Sequence, residues 1–172
     1  MISSSQVNQN LHAIKSKILT AAYQSGRKTD EIRIVAVTKT LPFESWNFAL
    51  ENKITIIGEN QIKEAVNKIN NFKYRQKIKL HLIGHLQSNK VRKAIQQFDT
   101  IQTVDSIKLL KRINDVSKEE KKKQNIFLQV NTGQDPRKFG FKKGDVCAAA
   151  ELTTELQNLT LKGIMTIPPK NI

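Results

Sequence analysis

Apolar and polar positions along the chain follow two alternating periods. Val7, Leu11, Ile14, Ile18 and Ala21 recur at three- and four-residue intervals and predict one apolar helical face, with Ser3 to Ser5 as caps and Gly26 as a stop. Arg33-Ile34-Val35-Ala36-Val37 is then a short β-branched run without polar alternation, the pattern of a strand covered on both faces, as in a parallel sheet. Thr38-Lys39-Thr40 ends it, and Pro42 fits the first turn of a helix carrying Phe43, Trp46, Ala49 and Leu50. The same unit repeats. Ile54 to Ile57 ends at Gly58-Glu59-Asn60, ahead of a helix with Ile62, Ala65, Val66 and Ile69. Leu80 to Ile83 ends at Gly84-His85-Leu86-Gln87-Ser88-Asn89 and precedes a short helix from about Lys90 to Phe98. Ile101 to Val104 ends at Asp105-Ser106, ahead of Ile107, Leu110, Ile113 and Val116. Ile126 to Val130 ends at Asn131-Thr132-Gly133 and a longer loop through Phe141, then a helix with Val146, Ala149, Ala150 and Leu156. Leu161 to Thr166 is a sixth strand.

Six strands separated by helix-length segments predict consecutive right-handed βαβ crossovers and an α/β fold. An open doubly wound sheet and a (β/α)8 TIM-type barrel both satisfy that pattern. Polar residues at the end of every strand suit the barrel, whose site lies on that face. A complete barrel takes about 250 residues, with about 200 a lower limit. With 172 residues and six of eight βα units, the expectation is one domain over residues 1–172, either an open sheet or a barrel lacking its last quarter.

Composition narrows the class further. No run approaches the roughly 20 apolar residues of a bilayer span, and Met1 to Asn10 is polar where a secretory signal places its apolar stretch, so a soluble cytoplasmic protein is expected. The single Cys147 excludes an internal disulfide and a Cys-rich zinc site. Lys+Arg 29 against Asp+Glu 15 leaves a net charge of +14, which invites a nucleic-acid reading. Lysine dominates that excess, with Arg27, Arg33, Arg75, Arg92, Arg112 and Arg137 the only arginines, whereas bidentate base readout favours arginine. A basic module that binds polyanions without sequence preference is the alternative left open, and Lys118-Glu119-Glu120-Lys121-Lys122-Lys123 reads as a solvated helix end.

Among candidate sites, Lys39 lies just past a buried strand. On its own it reads as a lysine whose ammonium reaches water, while at the rim of an apolar barrel it is placed to condense with an aldehyde as a Schiff base. Gly84 to Lys90 lacks the second glycine and trailing Ser/Thr of a phosphate loop. His81 and His85 stand four apart without an HExxH pattern, so packing or hydrogen bonding is expected of them, and no metal site. Met165 reads as core filler, and Asn131 to Pro136 as turn chemistry first and a ligand loop second.

Taken as a series, the strand ends carry more. Val35-Ala36-Val37-Thr38-Lys39-Thr40, Ile57-Gly58-Glu59-Asn60, His81 to Lys90, Gln129-Val130-Asn131-Thr132-Gly133 with Lys138 and Gly140, and Gly163 to Pro169 resemble, in order and spacing, the YggS/PROSC family of pyridoxal phosphate homeostasis proteins. That family is related in fold to the N-terminal barrel of alanine racemases. The resemblance, from about Leu11 to Pro169, implies pyridoxal 5′-phosphate held as a Schiff base on Lys39, with Asn60 and Met165 near the ring. It implies a non-catalytic carrier in intracellular cofactor homeostasis, with dependent apo-enzymes as possible recipients and no catalytic residue. The family continues for roughly another quarter of the chain into strands seven and eight and Ser/Gly/Arg-rich phosphate loops. The carrier remains the leading expectation, with a truncated relative of impaired cofactor binding as an alternative, and the chain is expected to be monomeric or weakly oligomeric through exposed sheet edges.

Overall fold

Six short runs rich in apolar residues become six strands, and each is followed or preceded by a helix that lays its apolar stripe on the same side of them. The structure, a computed structural model, describes residues 4–169. In chain order the elements are α1 (Ser4–Gln24), β1 (Ala36–Val37), α2 (Glu44–Glu51), β2 (Ile56–Glu59), α3 (Ile62–Asn71), β3 (Lys79–Leu82), α4 (Val91–Gln97), β4 (Thr100–Val104), α5 (Ile107–Glu119), β5 (Gln124–Val130), α6 (Val146–Glu155) and β6 (Leu159–Thr166). All neighbours pair in parallel, in the order β1-β2-β3-β4-β5-β6. That order decides between the two architectures left open by the pattern. A doubly wound sheet reverses its strand order at a switch point, and this sheet winds in one direction throughout, as a barrel wall does.

Register sorts the side chains. Ile57 lies beside Leu80, and Leu82, Ile101 and Ile126 form a row across three strands. These residues, with Leu128, are fully buried beneath Trp46, Ala65, Ile95, Phe98, Leu110 and Ile113 of the helical layer. Residues of the opposite parity, including Val37, Gly58, His81 and Met165, face the concave side.

Several expectations shift by a few residues, each for a local reason. Ladder pairing in the first strand covers only Ala36 and Val37, and Val37 is 49% exposed, because β1 is a sheet edge among the described residues and its inner face opens onto a cleft. Pro42 precedes its helix instead of opening it: its carbonyl accepts hydrogen bonds from the Ser45 N–H and hydroxyl. On α1, Leu11 and Ala22 are buried while Ile14 is 48% exposed and Ala21 faces solvent, which rotates the contact face from the expected one. Gly26 stops that helix in the left-handed region at φ +66°, while Ser3 lies outside the described residues. Ser106 caps α5 by accepting from the Leu109 N–H. The lysine run after it is not wholly solvated. Lys122 reaches back to the Ile95 and Phe98 carbonyls at the end of α4, and burial pushes its ammonium pKa down. Arg92 pairs with Glu119 and Glu120, which joins α4 to α5. Among the described residues no helix is long and apolar enough to cross a membrane.

Candidate functional site

The C-terminal ends of the six strands open onto one cleft of about 580 Å³, within the range that small organic ligands occupy. Each strand contributes from the residues just before or just after its end. Val35, Val37 and Lys39 come from the first, Asn60 from the second, and Ile83, Gly84 and His85 from the third. Gln102 and Thr103 come from the fourth, Gln129, Val130 and Asn131 from the fifth, and Met165, Thr166 and Ile167 from the sixth. The three residues singled out from the sequence, Lys39, Asn60 and Met165, thus line the same cavity although they are far apart in the chain. Among the described residues, no hydrogen bond or ion pair engages the Lys39 ammonium.

The floor of the cleft is tightly built. The Thr103 hydroxyl donates to the Gly84 carbonyl at 2.7 Å, and on its other side Gly84 abuts the backbone of Asn60 so closely that a Cβ there would lie 2.2 Å from the Asn60 carbonyl oxygen. Deeper on the concave face, Gln102 and His81 share a 2.7 Å hydrogen bond between Nε2 and Nδ1. Burial pushes the His81 pKa down, against a partly opposing pull from Asp99, so the ring is neutral and Nδ1 accepts. His85 stacks on Phe139 with centroids 3.7 Å apart, and its Nδ1 lies 3.1 Å from a carboxylate oxygen of Asp105. His81 thus hydrogen-bonds and His85 packs.

One wall is a loop. Asn131 organises it by its side chain donating to the carbonyls of Asp135 and Lys138 and accepting from the Asp135 N–H, and Phe141 returns along β5, its N–H donating to the Gln129 carbonyl and its carbonyl accepting from the Asn131 N–H. Turn chemistry and cavity lining thus coincide at Asn131. Arg137 and Lys138 bring positive charge to the lining. Arg137 is held by Asp135, whose carboxyl stays below its usual range, first through the guanidinium hydrogen bond.

Behind Lys39 lies a group that sequence reasoning missed. Lys68, on α3, donates to Glu59 Oε1, Glu64 Oε1 and the Thr38 carbonyl, each at 2.7 Å. Glu59 Oε1 also accepts from the Thr38 hydroxyl at 2.6 Å and from the Trp46 indole N–H at 3.2 Å. The Glu59 side chain is fully buried and that of Lys68 is 6% exposed. Burial would raise the Glu64 carboxyl, but the hydrogen bonds from Lys68 and the Thr40 N–H, with the Lys68 charge, hold it below its usual value. The available signal was weak. Glu64 and Lys68 have the i,i+4 spacing of any surface ion pair, and Lys68 sits three residues after Ala65 on a stripe that otherwise reads apolar.

The family model of the alanine racemase N-terminal domain matches residues 9–171. The chain is 36% identical over 167 residues to the pyridoxal phosphate homeostasis protein of Vibrio alginolyticus, covering 95% of this chain and 72% of that relative. It is 34% identical over 164 residues to the protein of the same name from Escherichia coli K12, covering 94% and 70%. Among solved structures, PipY of Synechococcus elongatus with pyridoxal phosphate bound superposes with a TM-score of 0.76 at 29% identity, covering 92% of this chain and 72% of that one. An alanine racemase of Clostridium difficile shares the fold at a TM-score of 0.66 and 18% identity, over 78% of this chain and 35% of that one.

Proposed function

The chain belongs to the alanine racemase N-terminal domain family and, within it, to the pyridoxal phosphate homeostasis proteins, and from that premise we propose that it carries pyridoxal 5′-phosphate reversibly on Lys39 without turning over a substrate. The observation that carries this reading is the Lys39 amine at the end of the first strand, engaged by no hydrogen bond or ion pair among the described residues and lining a cleft that also holds Asn60 and Met165.

The lining fits the cofactor's chemistry. Val35, Val37, Ile83 and Met165 offer apolar surface to a flat ring, and Asn60 offers an amide that donates and accepts at its edge. Arg137 and Lys138 supply the positive charge that an anionic substituent seeks. When bound, the cofactor supplies an aldehyde. Lys39 would be the residue that holds it through that aldehyde, reversibly, with one water released on attachment and taken up again on release. Reversibility is what a carrier needs. The remaining lining residues hold and orient, and release to dependent apo-enzymes in the cytoplasm is the use this reading implies.

The test is direct. The purified chain is titrated with pyridoxal 5′-phosphate, reduced with borohydride, digested and mapped by mass spectrometry. One adduct per chain on the peptide carrying Lys39, absent from Lys39→Ala, is the expected result. Adducts scattered over the other lysines, with Lys39 unmodified, would overturn the reading. The same preparations, assayed for racemisation of amino acids, are expected to stay at background.

A further inference from the structure

Lys39 sits two residues past the end of a two-residue strand at a sheet edge, where little ladder pairing is available to hold its backbone. The backbone is nevertheless held on both sides. Preceding it, the Thr38 carbonyl accepts from Lys68 Nζ at 2.7 Å, and the Thr38 hydroxyl is tied to Glu59. Following it, the Thr40 N–H donates to Glu64 Oε1 at 2.6 Å. Lys68 bridges the two carboxylates, so its three ammonium hydrogens are all engaged and the two clamps form one unit.

Two further facts show that the unit constrains more than it stabilises. Thr40 is held at φ +64°, a conformation that a β-branched residue adopts only where its surroundings impose it, and its hydroxyl closes onto the Lys39 carbonyl at 2.6 Å. Glu59 keeps its second carboxylate oxygen buried without a hydrogen-bond partner among the described residues, a cost that an apolar side chain at this position would avoid. A solvated surface ion pair would do neither.

We infer that the Glu59–Lys68–Glu64 unit is the positioning device of Lys39, fixing the backbone on both sides of it so that the amine enters the cleft in one orientation. This rests on the reading of Lys39 as the cofactor lysine. Glu64 and Lys68 are positioning residues, acting through the backbone of Thr38 and Thr40 without contacting the ligand.

The experiment compares the parent chain with Glu64→Ala and Glu64→Gln, reading the rate of pyridoxal 5′-phosphate addition at Lys39 relative to exposed lysines of the same sample, beside thermal melting and amide exchange at Thr40. Glu64 is 24% exposed on a helix face, so its removal leaves the buried Glu59–Lys68 pair in place. The expected result is a fall of about ten- to a hundredfold at Lys39 alone in Glu64→Ala, the scale of lost orientation, with the exposed lysines unchanged. Glu64→Gln, which keeps an acceptor for the Thr40 N–H, restores labelling. A merely structural role would lower melting and leave the Lys39 ratio untouched, and that outcome overturns the inference. If the parent chain carries no adduct at Lys39, the cofactor reading fails on its own. The clamp is then judged by exchange: a Thr40 amide that exchanges as fast in the parent chain as in Glu64→Ala refutes it.

Discussion

Replacing Gly84 by alanine tests the geometry of the cleft floor with a single methyl group. Its φ is unremarkable, so the demand for glycine comes from contact and not from backbone conformation. The new Cβ would lie 2.2 Å from the Asn60 carbonyl oxygen and 2.9 Å from its C and Cα, where ordinary contact begins near 3.4 Å. All three atoms are backbone, so no side chain can swing aside. The ends of β2 and β3 must part by about 1 Å, against a repulsion that rises steeply at such separations. Overpacking of this kind costs about 1–3 kcal/mol, and loosening the 2.9 Å bond from the Ile83 N–H to the Glu59 carbonyl adds about 0.5–1.5 kcal/mol. Urea unfolding at an unchanged m-value should therefore show a loss of about 1.5–4.5 kcal/mol. Because the displaced residue is Asn60, cofactor affinity should fall as well. Gly144→Ala is the matched control, since nothing lies within 4 Å of its Cβ, and there the change should be neutral or slightly stabilising. Equal stabilities for the parent chain and Gly84→Ala, within about 0.5 kcal/mol, would refute the close approach and the cleft floor built on it.

Lys68→Met leaves Glu59 buried without its counter-charge and should cost about 3–5 kcal/mol, whereas adding Glu59→Gln to it should recover part of that loss; strictly additive denaturation energies would show that the pair is not coupled. His81 is held neutral by burial, below its ordinary 6.5, so between the two values the unfolded chain binds the extra proton and stability falls as the pH drops. His81→Gln should flatten that slope when unfolding is measured from about pH 7 to about pH 5, and parallel slopes would contradict the assignment. On β6, Ile164 is 62% exposed on the side that the other strands cover with helices, so any concentration-dependent association seen by sedimentation should weaken in Ile164→Lys, and undiminished association would place the contact elsewhere.

How much of this was legible in the sequence follows from which interactions are local. Helices α3 and α5 carry apolar stripes of period 3.6, and every strand from β2 to β6 announces itself by a short run rich in apolar residues that ends in polar ones. Strand order was not legible from any one segment, because it depends on pairings such as Leu82 with Ile101 that no local pattern encodes. Lys39 was legible as a candidate because strand ends in this fold converge on one face, whereas Asn60 and Met165 followed from the family resemblance, Met165 reading by its own pattern as core filler. The same logic fails for β1. Its five-residue run promised a covered strand, yet edge position reduces the ladder to Ala36 and Val37.

What the weak strand lacks, the helix behind it provides. On the proposed reading Lys39 needs an unpartnered amine, and just past a two-residue edge strand it has few ties of its own. Precision at Lys39 therefore has to come through the backbone of its neighbours, from groups whose side chains can be buried because they never meet the ligand. Glu59 on β2 and Glu64 and Lys68 on α3 meet that requirement: they reach Thr38 and Thr40 across more than twenty residues of sequence, leaving the face of Lys39 that opens into the cleft clear. Such a division of labour is invisible to a motif read along the chain, because Glu59 looks like part of a strand-end turn and Lys68 like one more charge in a basic protein. Only the meeting of β1, β2 and α3 at one point gives those charges a task.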